Sequence, residues 1–195
     1  MKISELSDGE KDVINKKIRI MSKKGLRVIA VGYRDYKTEE ELPETLTEKT
    51  INFLGLIALN DPLRKTVKRD IETLKKAGIR VVMITGDNGF TAAAIAKKAG
   101  IEYKNIINGN TIEKMTDTEL QNAVKTTSVF SRVIPEHKMR IIKAFRENGE
   151  ITAMIGDGVN DAAALKFADI GIAMGKKGSE VSREAADLIL LDEKF

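Results

Sequence analysis

The chain has 195 residues, 42% hydrophobic and 32% charged, which suits one domain with a sizeable core or two small ones and not a disordered segment. It has no cysteine and one histidine, His137, so disulfides, thiolate metal sites and a zinc centre of the usual kind are excluded. Its 33 Lys and Arg against 29 Asp and Glu leave a net charge of +4, and no apolar run approaches the roughly 20 residues that cross a bilayer. If the protein serves a membrane, the membrane part is expected outside this stretch.

In chain order, Glu10 to Lys24 place Val13, Ile14, Ile18 and Met21 at helical spacing, and Gly25 closes the helix. The lysines and arginines of this helix read as a solvated face. No aromatic side chains interleave with them, and base stacking would need some, so nucleic acid is not an expected partner. Arg27 to Tyr33 alternates as a strand, Lys37 to Lys49 is a Glu-rich connection, and Phe53 to Leu59 is a second apolar strand. These first 60 residues are too few to bury a core alone and read as the tail of a domain.

From Asp61 helices and strands alternate. A helix is expected from Pro62, with Leu63, Val67, Ile71 and Leu74 on one face, then a strand at Arg80–Ile84 and a helix from Phe90 to Ala99. Short strands follow near Ile106 and at Ser128–Ser131, and a second helix runs from Pro135 to Asn148. Strands at Ile151–Ile155 and Asp169–Ala173 bracket a helix at Asp161–Ala168. This pattern predicts an α/β fold, a doubly wound parallel sheet over residues 61–195, preceded by a partial α+β segment over 1–60. Ligands of such sheets sit at the carboxyl ends of the strands.

Two strand ends carry chemistry. Met83-Ile84 runs into Thr85-Gly86-Asp87-Asn88, where the glycine allows close backbone approach and the threonine hydroxyl can donate to a phosphate oxygen. A capped strand-to-helix turn explains that run equally well. Ile155 runs into Gly156-Asp157-Gly158-Val159-Asn160-Asp161, whose two carboxylates at a strand end suit Mg²⁺, an ion that takes one or two carboxylates and completes its shell with water and phosphate. Turn chemistry accounts for one Asp and the glycines but not for the whole run. Lys138, in Ser131-Arg132-Val133-Ile134-Pro135-Glu136-His137-Lys138, is either a surface lysine or the cation that balances a phosphoryl group. His137 reads as structural. Asp61-Pro62 reads as a hinge or simply as a helix start.

Taken in order, these motifs resemble the haloacid-dehalogenase-like phosphorylation domain of P-type cation-transporting ATPases, most closely the calcium-pump (P2) type. The likeness runs from Gly25 to Phe195 and includes Gly25-Leu26-Arg27-Val28, Asp61-Pro62-Leu63-Arg64, Met83 to Asp87, Arg132 to Lys138, Gly156 to Asp161 and the ending Asp187 to Asp192. The resemblance implies a HAD-like fold, preceded by the end of a nucleotide-binding domain, on the cytoplasmic face of a membrane. ATP and Mg²⁺ are the implied cofactors. Thr85 would hold a phosphoryl group, Lys138 would neutralise it, and Gly86 and Asp87 would shape its pocket. Asp157 would ligate Mg²⁺, with Asp161 and Asn160 ordering metal and phosphate behind it. Arg27 and Arg132 would contact ATP, and Asp61 and Arg64 would mark the hinge beside the nucleotide.

The implied partners are the rest of a pump polypeptide, its membrane helices and actuator domain. The family's Asp-Lys-Thr-Gly-Thr nucleophile and its Lys-Gly-Ala segment do not occur in these residues, so phosphorylation by the family route is not expected of this stretch alone. Ile155 and Ala163 stand where the family pattern has Thr and Pro. In that fold the nucleophile strand lies between the strands ending at Thr85 and Ile155. Those two edges are expected to close on each other, to be filled by another strand, or to pair with a second molecule. A non-catalytic module binding Mg²⁺ or nucleotide is the alternative reading. A soluble phosphatase of the same superfamily would need an Asp-x-Asp at a strand end, and none is evident.

Overall fold

The computed structural model describes residues 6–35 and 51–191, which fall in two compact units, 1–62 and 63–195. The Glu-rich connection Lys37–Lys49 lies outside the described residues.

In the first unit, α1 (Asp8–Lys23) begins at a reciprocal cap: the Glu10 amide donates to the Ser7 hydroxyl, and Glu10 Oε2 accepts from the Ser7 amide at 2.9 Å. β1 (Arg27–Tyr33) and β2 (Asn52–Leu59) pair antiparallel, Arg27 opposite Leu59, with an irregularity between Val31 and Gly32. Ile14 is the only buried apolar side chain among the described residues of this unit, while Leu54 and Ile57 stay more than half exposed at 67% and 51%. A helix on a two-stranded ribbon has one face to cover and cannot close a core.

The second unit carries two three-stranded parallel sheets, in place of the single continuous sheet that the alternation predicts. Their order is β3-β5-β4 and β6-β7-β8, where β3 is Met83–Ile84, β4 Ile106–Asn108, β5 Val129–Ser131, β6 Ala153–Gly156, β7 Ile170–Met174 and β8 Leu188–Leu190. The helices are α2 (Val67–Lys76), α3 (Gly89–Ala99), α4 (Gly109–Lys114), α5 (Asp117–Val124), α6 (Pro135–Glu147), α7 (Ala162–Phe167) and α8 (Glu180–Ala185). β5 is buried on both faces, as a central parallel strand should be. Val129 packs with Ile71, Ala92, Ala96 and Ile101 on the α2–α3 side. Its neighbour Phe130 packs with Ile112, Leu120 and Ile141 on the α4–α6 side. Helices therefore cover both faces of that sheet, so the chain is doubly wound.

α2 starts at Val67, five residues later than the expected Pro62 start. The chain from Asp61 to Arg64 is irregular, and a turn in which the Val67 amide bonds the Arg64 carbonyl delays the first helical hydrogen bond. The strand expected at Arg80–Ile84 shortens to Met83–Ile84, because it has a ladder partner, β5, on one side only.

The expected closing of the two inner edges on each other, or their filling by another strand, is not found among the described residues. Among the described residues β3 pairs only with β5 and β6 only with β7. The reason lies in α6, which is packed into both layers. Ile141 belongs to the cluster over the first sheet, and its neighbour Ile142 to a cluster with Ala164 and Ala168 of the α7 layer.

Candidate functional site

The loop leaving β3 is built by backbone bonds to the loop leaving β5. The Thr85 amide donates to the Phe130 carbonyl at 3.0 Å, the Val133 amide to the Thr85 carbonyl at 3.1 Å, and the Arg132 amide to the Asp87 carbonyl at 2.9 Å. Thr85 Oγ1 accepts from the Asp87 amide at 3.1 Å, which leaves its proton available to an outside acceptor. Asn88 then caps α3, its Oδ1 accepting from the amides of Phe90 and Thr91 at 3.0 and 3.1 Å. Arg132 holds φ at 51°, the one positive value at a non-glycine among the described residues, so the β5 exit carries backbone strain of about 1 kcal/mol.

α6 starts directly behind that exit, with Pro135 in its first turn. His137 is buried, and its Nδ1 accepts from the Ile134 amide at 3.5 Å, which fits its structural reading. One residue on, Lys138 Nζ meets Asp161 Oδ1 at 2.5 Å, and both side chains are largely buried, at 15% and 12% exposure. Asp161 Oδ2 accepts from the Gly158 amide at 3.2 Å, so both of its oxygens have protein partners. Gly156 is required here: a Cβ at that position would lie 2.5 Å from Asp161 Cβ.

Asp157 differs in every respect. Its side chain is exposed and has no protein partner among the described residues, while its backbone carbonyl is held by the Ser179 amide at 2.8 Å and by Ser182 Oγ at 3.2 Å. The two carboxylates that the sequence offers together as metal ligands thus divide: Asp161 is locked behind, and Asp157 faces out. Asn160 is exposed on the intervening turn, Val159–Asp161. No group of three or more His, Asp or Glu able to hold a metal occurs among the described residues, and one outward carboxylate beside a neutralised one is the set a water-rich Mg²⁺ needs.

The structure therefore links Thr85, Gly86 and Asp87 to Arg132 through the backbone, and links Arg132, through the start of α6, to Lys138 and Asp161. Arg27, at the start of β1, and Asp61 belong to the first unit, and Arg64 to the second. Ser179 and Ser182, which fix the Asp157 carbonyl, were not singled out in the sequence. The signal for them was a serine three residues from another at the start of α8, where Ser179 Oγ accepts from the Ser182 amide.

Among the described residues no helix is long and apolar enough to cross a membrane. The family described as haloacid dehalogenase-like hydrolase matches residues 5–169. Calcium-transporting ATPase 1 of Bacillus cereus is 45% identical over 196 residues, covering 100% of this chain and 22% of its own length. Calcium-transporting ATPase 1 of Yarrowia lipolytica is 47% identical over 182 residues, 90% of this chain and 19% of its own. The human calcium-transporting ATPase type 2C member 1 is 42% identical over 192 residues, 97% of this chain and 20% of its own. The chain thus spans about a fifth of the length of these relatives. It belongs to the haloacid dehalogenase-like hydrolases and is homologous, along its whole length, to a segment of the calcium-transporting P-type ATPases.

Proposed function

We propose that this chain is the phosphoryl-handling segment of a P-type cation pump, most of a phosphorylation domain preceded by the end of a nucleotide-binding domain on the cytoplasmic side. The intact protein would couple ATP hydrolysis, through an aspartyl-phosphate, to calcium transport. The observation that supports this most is the buried Lys138–Asp161 pair at the carboxyl end of β6, tied through the first turn of α6 to the Thr85–Asp87 loop. Two phosphate-type strand ends share one cation-bearing helix start, which is what in-line phosphoryl transfer requires of its surroundings.

Asp157 would hold Mg²⁺, with Asn160 and Asp161 ordering its shell. The bound ion would supply positive charge against a phosphoryl group. Thr85 would donate its hydroxyl proton to that group, Gly86 and Asp87 would shape the pocket, and Lys138 would balance charge. Arg132, with Arg27 and the Asp61 and Arg64 hinge, would meet ATP. The aspartate nucleophile would come from a strand that enters between β3 and β6. Without it these residues would bind Mg²⁺, and nucleotide weakly, but accept no phosphoryl group.

Sequencing the coding DNA on both sides tests this. An upstream Asp-Lys-Thr-Gly-Thr and a downstream apolar run of about 20 residues are expected. The longer polypeptide should then take label from ATP, and the Asp157→Asn variant should lose most of it. Open flanks without those features, or full labelling in the variant, would favour a non-catalytic module.

A further inference from the structure

The carboxyl ends of β4 and β5 enclose a cleft of about 560 Å³, lined by Gly89, Ile106, Asn108, Asn110, Ser131 and Arg132. None of the residues assigned to metal or phosphoryl handling lines it, and Arg132 alone is shared with the nucleotide reading. Five of the six lining residues offer hydrogen-bond donors, and none is acidic.

Ser131 is the decisive member. It is 1% exposed, yet its hydroxyl makes no hydrogen bond among the described residues. That is uncommon, because a buried hydroxyl without a partner costs about 1–3 kcal/mol. Its Oγ lies beside Gly89, 3.6 Å from where a Cβ would sit on that glycine, and both residues line the cleft. Gly89 opens α3, an eleven-residue helix whose next two amides are taken by Asn88. Its own amide lies in the first turn, at the positive end of the helix, and Gly89 lines the cleft. Asn108 Oδ1 is occupied by the amide and hydroxyl of Thr111, at 3.0 and 3.2 Å, which leaves its NH₂ to donate. The Arg132 side chain makes no ion pair or hydrogen bond among the described residues, and Asn110 is exposed at the rim.

The residues that line the cleft carry a guanidinium, a buried hydroxyl, two carboxamides and a helix-terminal amide, with no carboxylate among them. We infer that this cleft is a second site, separate from the β6 carboxylates, that takes a tetrahedral phosphate oxyanion, either free phosphate or the phosphate of a small phosphomonoester. A carboxylate would use one plane of donors and a spherical halide one point, whereas these donors come from three sides: α3, the β4 exit and the β5 exit.

The test uses the whole 195-residue chain, labelled with ¹⁵N, in magnesium-free buffer. It is titrated with inorganic phosphate and, separately, with glycerol 3-phosphate while the backbone amides are followed. Saturable shifts at Gly89, Asn110, Ser131 and Arg132 are expected with at least one of them, while Thr85, Gly86 and residues 157–161 stay in place. A response to phosphate alone assigns the free ion, and one confined to the ester assigns the esterified group. Asn110→Asp puts a like charge at the rim and should weaken binding about tenfold, and Ser131→Ala should weaken it about fivefold. Asn110→Asp sits exposed in the first turn of α4, where a carboxylate suits the helix end, so its fold is not at risk.

No saturable shift at the cleft with either compound, or equal binding by both variants, would overturn the inference. Neither variant touches the Lys138–Asp161 pair or the β6 exit. The pump reading can therefore fail while this one stands, and the reverse.

Discussion

At the scale of single residues the site depends on one buried contact, Lys138 with Asp161. Two charges at 15% and 12% exposure stabilise each other only as a pair, and removing one leaves the other buried and uncompensated. Lys138→Met should therefore cost about 3 kcal/mol in urea unfolding, and adding Asp161→Asn should recover at least half of that loss. A single-variant loss near 0.5 kcal/mol would mean a screened surface pair, and the reading of Lys138 as a fixed cation would fall. The sequence already pointed to these residues, since a carboxylate-rich run at a strand end and a lysine at a helix start are visible in one dimension. Their pairing was not. They stand 23 positions apart, and whether Lys138 meets a carboxylate or only solvent depends on where α6 is packed. The strained Arg132 and the silent hydroxyl of Ser131 were equally invisible, because positive φ and burial without a partner are tertiary facts.

At the scale of elements, long periodic segments were legible and short ones were not. α6 and α3 lie within a residue of their expected bounds, because buried residues repeat at helical spacing and each has a strong start, Pro135 or Asn88. α4, α5 and α8, of six, eight and six residues, are too short for a periodic signal. Each is held at its start by a side-chain cap, Asn108, Thr116 and Ser179 respectively, and at α5 Thr116 and Glu119 bond each other's amides. The same helix carries the clearest acid-sensitive tie between elements. Asp117, in the first turn of α5, accepts from Arg140 at 2.9 Å and from Lys143 at 3.4 Å, both on α6. The bond from Arg140 first, and then Lys143, holds its carboxyl below the usual range, as the bonds from Thr116 do for Glu119. A depressed folded pKa contributes stability above the unfolded value near 4, and that contribution is lost as pH falls through the folded value. Wild type should thus exceed Asp117→Asn in melting temperature at pH 6, and the gap should close as pH falls below the unfolded value near 4. A gap that widened in acid would reverse the assigned sign. Asp117 is exposed, so the gap at pH 6 should be small.

At the scale of the whole molecule, the parallel sheet is divided where the family places its nucleophile strand, and the division leaves two free edges, β3 and β6, among the described residues. β6 is also bare on one face. Met154 turns towards the α6–α7 layer, while Ala153 and Ile155 are exposed, Ile155 at 41%, with Ile151 just before the strand at 86%. An apolar strand free on an edge and on a face is the kind that natural sheets cover or charge, and no charged side chain lies within β6. The chain on its own should therefore associate with itself as its concentration rises, through addition at β6. Sedimentation velocity across about 10–300 µM should show a growing dimer fraction, and Ile155→Lys should shift the midpoint upward about tenfold. If the pump reading holds, a peptide carrying the family's Asp-Lys-Thr-Gly-Thr strand should compete with that dimer, because both would use the same backbone donors and acceptors. A chain that stays monomeric throughout would mean that β6 is covered in solution, and with that both the dimer and the route by which a nucleophile strand enters would lose their footing.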